Sequence, residues 1–137
     1  MRLLALDLGE KRIGLAVSDP AGKLALPAGT IQRTKLAQDM LQVLKMAESR
    51  VVEGFVVGIP YHSDGSTGHQ ANRALGFVRA LEKRTDLPVY TVDEGFTSFE
   101  AEGLLREAGR QPSRERATVD ETAAALILKR FLDQNQV

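Results

Sequence analysis

The sequence predicts an α/β fold in which helices cover a mixed β-sheet. Three strand-like segments joined by short turns stand at the beginning of the chain, which favours antiparallel pairing there. Helix-like and strand-like segments then alternate, as they do where parallel strands are joined by helical crossovers. The 137 residues, 43% apolar and 26% charged, have the size and composition of a globular protein, so we expect one domain over residues 1–137.

The three opening strands are marked by apolar runs and turn residues. Leu3 to Leu8 and Ile13 to Val17 are apolar runs separated by Gly9 to Arg12, a pattern that predicts a β-hairpin. The cluster Ser18 to Gly22 predicts a turn, and a third strand is expected within residues 23–32.

The middle of the chain alternates between helical and extended patterns. Apolar residues at helical spacing from Leu36 predict the first helix, and Val52 to Val57 predicts a short core strand buried on both faces. A loop from Gly58 to Gly68 precedes a second helix, which starts near Ala71. Val89 to Val92 predicts the fifth strand.

Two capping signatures predict the last two helices. Thr97 with Glu100 predicts the start of one helix, which we expect to end at Gly109. Thr118 with Glu121 repeats the signature and predicts the start of the closing helix.

Composition restricts the possible chemistry. Cysteine is absent, which excludes disulfides, thiolate catalysis and cysteine-bound zinc. No apolar run approaches the ~20 residues that span a bilayer, and no secretory leader is recognisable, so we expect a cytoplasmic protein without membrane contact.

Charge is balanced over the whole chain, with 18 basic and 18 acidic side chains. Any binding of nucleic acid must therefore depend on local basic patches. The candidate phosphate contacts lie in two loops, and the alternative is that they are solvated surface charges. They are Lys11, Arg12, Arg110, Arg114 and Arg116.

Asp7 is the first candidate catalytic residue. An ionised carboxylate within a strand of Leu and Ala is costly unless it is paired, hydrogen-bonded or bound to a metal. The alternative is that Asp7 caps the following turn or pairs with Lys11 or Arg12.

Glu94 and Asp120 are the other two candidates. Glu94 follows the fifth strand directly, at the sheet edge where open α/β sheets place their ligands, although acids also precede helices for purely structural reasons. Asp120 is expected in the first turn of the closing helix, where the helix dipole alone favours an acid. The alanines at 123–125 would let this helix approach the sheet and bring Asp120 beside Asp7.

Convergence of Asp7, Glu94 and Asp120 would create mutual repulsion that divalent cations relieve. Mg²⁺ is typically bound by a few carboxylates together with water and substrate phosphate oxygens. The three acids therefore predict a site for Mg²⁺ or Mn²⁺, in which two ions would support hydrolysis of a phosphodiester bond.

The ordered motifs resemble those of the bacterial YqgF family, described both as Holliday junction resolvase-like and as a nuclease of pre-16S ribosomal RNA. The resemblance runs from Leu3 to about Leu132 and implies a ribonuclease H-like fold with a five-stranded sheet in the order 3-2-1-4-5. It also implies catalytic acids at Asp7, Glu94 and Asp120, and a substrate of nucleic acid. Its motifs are Asp7 to Gly9, Lys11 to Gly14, Val57 to Pro60, Asp64 to Ser66, Asp93-Glu94 and Asp120 to Ala124.

One position departs from the family pattern. The family usually has arginine after the Asp-Glu pair, where this chain has Gly95. We therefore expect the loss of one phosphate contact.

Three other functions are compatible with the sequence. Asp7 to Gly9 followed by a strand with Gly14 also resembles the first phosphate loop of two-domain ATPases, but the chain has no second phosphate motif. A binding module without turnover is another possibility. A Holliday junction resolvase would need a two-fold dimer and a broad positive surface, whereas the neutral charge favours a monomer or weak homodimer that acts on a single RNA or DNA strand.

Overall fold

The computed structural model describes residues 1–62, 64–95 and 97–135, and the side chains of residues 97–99 lie outside that description. In these ranges the chain forms the predicted order of strands and helices, with one short 3₁₀ turn, Pro112–Arg114, before the last helix. The strands are β1 (Leu3–Leu8), β2 (Arg12–Ser18), β3 (Ala25–Gln32), β4 (Gly54–Ile59) and β5 (Val89–Asp93). The helices are α1 (Leu36–Ser49), α2 (His69–Glu82), α3 (Thr97–Glu107) and α4 (Arg116–Gln134).

The five strands form one mixed sheet in the order β3-β2-β1-β4-β5. β1 pairs antiparallel with β2, and β2 pairs antiparallel with β3. β1 and β4 are parallel, and so are β4 and β5, which α2 connects. The strand order implied by the family resemblance is thus confirmed, and β1 lies at the centre of the sheet.

Alternation along β1 divides the core into two layers. Leu4 and Leu6 belong to the larger core beneath α1 and α2, whereas Leu3 and Ala5 belong to the core beneath α4. Successive side chains of a strand point to opposite faces, so Asp7 continues the α4 side. The apolar residues that α4 adds to this second core are Ala124, Ile127, Leu128 and Leu132.

α4 begins earlier than the sequence predicts. The helix starts at Arg116, with Glu115 at the N-cap position, so the assignment of Thr118 as the cap is wrong. The 3₁₀ turn leads directly into the helix, and the N–H of Val119 already donates to the carbonyl of Glu115 at 2.9 Å. Asp120 therefore lies in the second helical turn, where the helix dipole alone explains an acid less well.

The other helix boundaries agree with the sequence more closely. α3 begins at Thr97, but the predicted Thr97 side-chain cap lies outside the described residues. Gly109 has a φ of 78° and follows the end of α3, as expected for a glycine that ends a helix. Among the helices in the described ranges, none combines the length and apolar character that crossing a bilayer requires.

Gly14 sets how closely α4 approaches the sheet. A Cβ atom at this position of β2 would lie 2.1 Å from the carbonyl oxygen of Asp120 and 2.4 Å from its carbonyl carbon. These are backbone atoms, which cannot rotate away as a side chain can. Any residue other than glycine at position 14 would therefore push the start of α4 off the sheet.

We expect Gly14→Ala to destabilise the protein by about 2 kcal/mol or more, because the added methyl group overlaps backbone rather than a flexible side chain. Urea unfolding measures the effect. Gly103→Ala is the matched control, since a Cβ at that position of α3 meets nothing within 4 Å and alanine favours the helix by about 0.5–1 kcal/mol. Equal stabilities of the two variants would contradict the close approach at Gly14.

Candidate active site

The three candidate acids come from three different elements that meet on the α4 side of the sheet. Asp7 lies near the end of β1 and is paired in register with Gly14 of β2. Gly14 in turn lies against the backbone of Asp120. Glu94 follows β5 directly, and its N–H donates to the carbonyl of Ile59 at the end of β4, at 3.1 Å.

The absence of a side chain at Gly58 leaves room for the side chain of Glu94. A Cβ at position 58 would lie 2.7 Å from Oε2 of Glu94 and 2.6 Å from Cδ1 of Ile127. The Glu94 side chain therefore lies over the backbone of β4. Because β4 stands between β5 and β1, this position brings the carboxylate across the sheet toward Asp7.

The pKa values of Asp7 and Glu94 are shifted by burial and by each other. The pKa of Asp7 is raised from 3.8 to about 8, mainly by burial and also by the negative charges of Glu94 and Asp120. Burial also raises the pKa of Glu94, while its hydrogen bond with Asp7 and the charge of Arg130 lower it. Near neutral pH the protonated form of Asp7 is therefore favoured, and in this form its carboxyl group donates the hydrogen bond to Glu94.

Asp120 forms an ion pair with Arg12 at the site. Nε of Arg12 donates to Oδ2 of Asp120 at 2.7 Å, and the two side chains are 21% and 22% exposed. The sequence alternative in which Asp7 pairs with Lys11 or Arg12 is not found among the described residues, because the guanidinium of Arg12 neutralises Asp120 instead. Arg12 therefore borders the site, but it binds an acid there.

The donor set fits a hard divalent cation by its chemistry, because all three side chains are carboxylates and the pKa values of two of them are raised by burial. Within the parts of the chain that the structure describes, however, no three acidic, histidine or cysteine side chains are already grouped as metal ligands. The carboxylate of Asp120 is paired with the guanidinium of Arg12 instead. The metal site at Asp7, Glu94 and Asp120 stays a prediction.

The predicted phosphate contacts are mostly engaged with other protein groups. Arg110 forms an ion pair with Glu115, and Arg116 bonds Glu102 at 3.0 Å. Lys11 and Arg114 are exposed and form no ion pair with another described residue. Arg116 lies one turn before Asp120 on α4 but pairs with Glu102 of α3. None of the three arginines lines either of the clefts at Glu94.

Other arginines line the two clefts that open at Glu94. A cleft of about 400 Å³ extends from Glu94 and Pro60 to Arg33 and Arg73. A second cleft of about 520 Å³ shares the same two residues and extends to Arg130. These arginines were not predicted from the sequence, because each lies in an ordinary amphipathic or loop segment and only the fold brings it to a cleft at Glu94.

A family model described as "RuvX: Holliday junction resolvase" matches residues 1–134. The chain belongs to this family. A relative from Synechococcus sp., named "Putative pre-16S rRNA nuclease", is 43% identical over 97% of this chain and 89% of its own length. A relative of the same name from Thermosynechococcus vestitus is 42% identical over 96% of this chain and 87% of its own. The resemblance to the RuvX/YqgF family is confirmed.

Solved structures show that this chain shares its fold with resolvases. Thermus thermophilus RuvC superposes with a TM-score of 0.56 at 19% identity, covering 93% of this chain and 92% of that one. The fowlpox virus Holliday junction resolvase gives 0.59 at 7% identity, covering 99% and 100%. The fold is therefore the ribonuclease H-like fold that the sequence predicts.

We expect Asp7→Asn to make the metal-free protein more stable at about pH 8 than the original chain, by up to a few kcal/mol. The raised pKa means that Asp7 favours folding at low pH and that this contribution is lost as pH rises from about 4 to about 8. Asparagine keeps the shape but does not titrate. Urea unfolding in EDTA at several pH values measures the difference.

Asp133→Asn is the control for this experiment, because Asp133 is an exposed acid near the end of α4 and its side chain is 58% exposed. Its effect should not change over this range of pH. A stability difference between Asp7→Asn and the original chain that stays constant with pH would show that Asp7 is not the shifted group.

Proposed function

We propose that the protein is a metal-dependent nuclease that hydrolyses phosphodiester bonds in nucleic acid, and that its role is RNA processing such as maturation of pre-16S ribosomal RNA. The observation that carries the proposal is the buried Asp7 beside Glu94 and Asp120 at one sheet edge. Membership of the RuvX family and the names of its relatives support the choice of reaction and substrate. Catalytic roles for these three acids are part of the proposal.

The proposed cofactor is Mg²⁺ or Mn²⁺, held by Asp7, Glu94 and Asp120. Two such ions would supply Lewis-acid stabilisation of the phosphate oxygens and an activated water. Asp7 and Glu94 must give up their shared proton before they act as ligands. The backbone of β1 would hold the carboxylate of Asp7 in place, and the space over Gly58 would hold that of Glu94.

The protein's own groups would orient the substrate. The two clefts that meet at Glu94 provide room on both sides of the acids for one strand. Lys11 is exposed at the β1–β2 turn and is available to a phosphate without the loss of an ion pair in the described structure. Arg12 would first have to leave its ion pair with Asp120. Two of the loop arginines are also paired with carboxylates, and none of the three lines the clefts: Arg110, Arg114 and Arg116.

RNA is favoured over a four-way DNA junction. The relatives at about 43% identity carry the name of a pre-16S rRNA nuclease, whereas similarity to the resolvase structures is confined to the fold. The chain also has no net charge, which agrees poorly with a surface that holds four duplex arms. We therefore keep junction resolution as the alternative reaction.

The proposed protein is one nuclease domain over residues 1–137 that works in the cytoplasm as a monomer or weak homodimer. The close contact of α4 with β1, β2 and β3 supports one domain, because the last helix packs on the first strands. Light scattering over a range of protein concentrations measures the oligomeric state.

We expect Asp7→Asn, Glu94→Gln and Asp120→Asn each to reduce cleavage by more than the roughly 10–100-fold that loss of an outer-shell partner costs a metal site. Each substitution removes one anionic ligand and keeps the side-chain shape. Cleavage is measured with Mg²⁺ and with Mn²⁺ on single-stranded RNA, single-stranded DNA and a synthetic four-way junction. Asp133→Asn should cleave like the original chain.

Cleavage by Asp7→Asn within a few-fold of the original chain would refute the assignment of the site. Paired symmetric nicks in the junction, with little action on single strands, would establish the resolvase reaction instead. Binding of RNA without any cleavage would identify a binding module.

A further inference from the structure

The cleft toward α2 borders Glu94 but is lined by none of the phosphate contacts predicted from the sequence. Its walls are the β1–β2 turn at Gly9 and Glu10, Arg33 after β3, and Arg73 with Phe77 on α2. It opens at Glu94 and has a volume of about 400 Å³, within the range of small-molecule sites and large enough for a nucleotide unit.

Arg33 is held rigidly in this cleft. Its Nη1 donates to the carbonyl of Gly9 at 2.8 Å, its Nε lies 3.6 Å from Oδ2 of Asp39, and its guanidinium carbon lies 5.9 Å from the centre of the Phe77 ring. Asp39 is only 1% exposed and balances the Arg33 charge. Arg33 is therefore an ordered donor whose binding of a ligand costs little side-chain entropy.

Arg73 supplies the second positive charge of the cleft. It is exposed on α2, lines the cleft, and forms no ion pair with another described residue. Glu10 and Glu94 also line the cleft, so the positive charge that a phosphate would meet is local to Arg33 and Arg73. The buried ring of Phe77 adds an apolar wall.

We propose that this cleft binds a phosphate of the nucleic-acid strand next to the phosphodiester bond at Glu94, with Arg73 as the charged contact and Arg33 as the ordered hydrogen-bond donor. The ligand class is a phosphodiester of a single strand, because a volume of about 400 Å³ matches a nucleotide-sized unit. This inference rests on the proposed function and adds the direction in which the strand leaves the acids, toward α2.

The test compares Arg73→Gln with Arg79→Gln, both made in the Asp7→Asn background and titrated with a fluorescent single-stranded RNA at several salt concentrations. Arg79 is exposed on the same helix but does not line the cleft. Arg73→Gln should weaken binding several-fold and reduce the slope of log affinity against log salt by about 0.7, the value for one phosphate contact on a single strand. Arg79→Gln should leave the slope unchanged.

Equal effects of the two substitutions, or none, would overturn the phosphate site while cleavage by the original chain still supported the nuclease. If the original chain neither cleaves nor binds RNA or DNA, the proposed function falls together with the cleft. A melting temperature within a few degrees of the parent shows that Arg73→Gln has not acted through folding.

Arg130 forms hydrogen bonds around the turn that carries Glu94. Nη1 of Arg130 donates to the carbonyl of Asp93 at 3.1 Å, and Nη2 donates to the carbonyl of Gly95 at 2.8 Å and to Oε1 of Glu100 at 2.8 Å. Arg130 thus binds the backbone on both sides of Glu94. Its charge also lowers the pKa of Glu94.

A side chain introduced at Gly95 would begin close to the guanidinium of Arg130. A Cβ at position 95 would lie 3.9 Å from Nη1 of Arg130 and 3.5 Å from Oδ1 of Asp93, both ordinary contacts. A guanidinium has five N–H donors, and three hydrogen bonds to the protein leave two for a ligand. Those two donors belong to a residue that lines the second cleft.

We further infer that Arg130 is the residue that positions Glu94 from α4, through its hydrogen bonds to the backbone carbonyls of Asp93 and Gly95. The inference rests on the proposed function but concerns only the source of the guanidinium.

A swap tests this inference. Arg130→Met should reduce kcat by about 10-fold or more, Arg130→Lys should retain part of the activity, and Lys129→Met, which removes a neighbouring charge paired with Asp133, should have no effect. Adding Gly95→Arg to Arg130→Met should restore most of the lost kcat, because the new side chain extends toward the vacated position.

The inference is overturned if the double variant is as impaired as Arg130→Met, or if Arg130→Met behaves like Lys129→Met. RNA affinity, measured in the Asp7→Asn background, provides a second readout, and the double variant should recover it. No cleavage by the original chain would instead refute the proposed function, whatever the swap does to affinity.

Discussion

The whole site depends on the contact between the backbone of α4 and the backbone of β2 at Gly14. With no side chain between them, the start of the helix lies directly over the strand, and Asp120 is fixed relative to Asp7 through the register pair Asp7–Gly14. Small residues continue this close packing along the α4 face, where Ala5, Ala16 and Ala124 are fully buried. The spacing of the acids is therefore a property of the backbone fold.

α4 also links the two ends of the site. Asp120 lies in its second turn and Arg130 ten residues later, about 15 Å along the helix axis. The first end contributes an acid beside β1 and β2, and the second end contributes a cation beside β5. Between these two ends of α4, Ile127 lies over Gly58, beside the side chain of Glu94. One rigid element thus sets the position of two acids and one arginine.

The sequence predicted the sheet and the acids better than the basic groups. Asp7 was detectable because a carboxylate in an apolar strand needs compensation, and Glu94 because it follows a strand at the ligand edge. The start of α4 was misplaced because the 3₁₀ turn at Pro112–Arg114 begins the helix before the Thr118 signature. The catalytic roles and the metal remain predictions.

Arg33, Arg73 and Arg130 were not predicted for a different reason. The role of a basic residue depends on its neighbours in the fold. These three come from the residue after β3, from α2 and from α4, and they border the clefts at Glu94 only in the folded chain. Arg110, Arg114 and Arg116 were predicted as phosphate contacts because they lie close together in the sequence. Arg110 and Arg116 instead pair with Glu115 and Glu102.

The ion pair between Arg12 and Asp120 has a consequence for how the site keeps electroneutrality. Without a divalent ion, the proton on Asp7 and the guanidinium of Arg12 offset two of the three carboxylate charges, and the charge of Arg130 acts on the third, at Glu94. A divalent ion bound by all three carboxylates would have to displace the proton and the guanidinium of Arg12, so its binding would be an exchange of cations. The released guanidinium would remain tethered to β2 at the mouth of the site, as a ready counter-charge for a polyanion. Ion binding and substrate binding would then reinforce each other through one arginine.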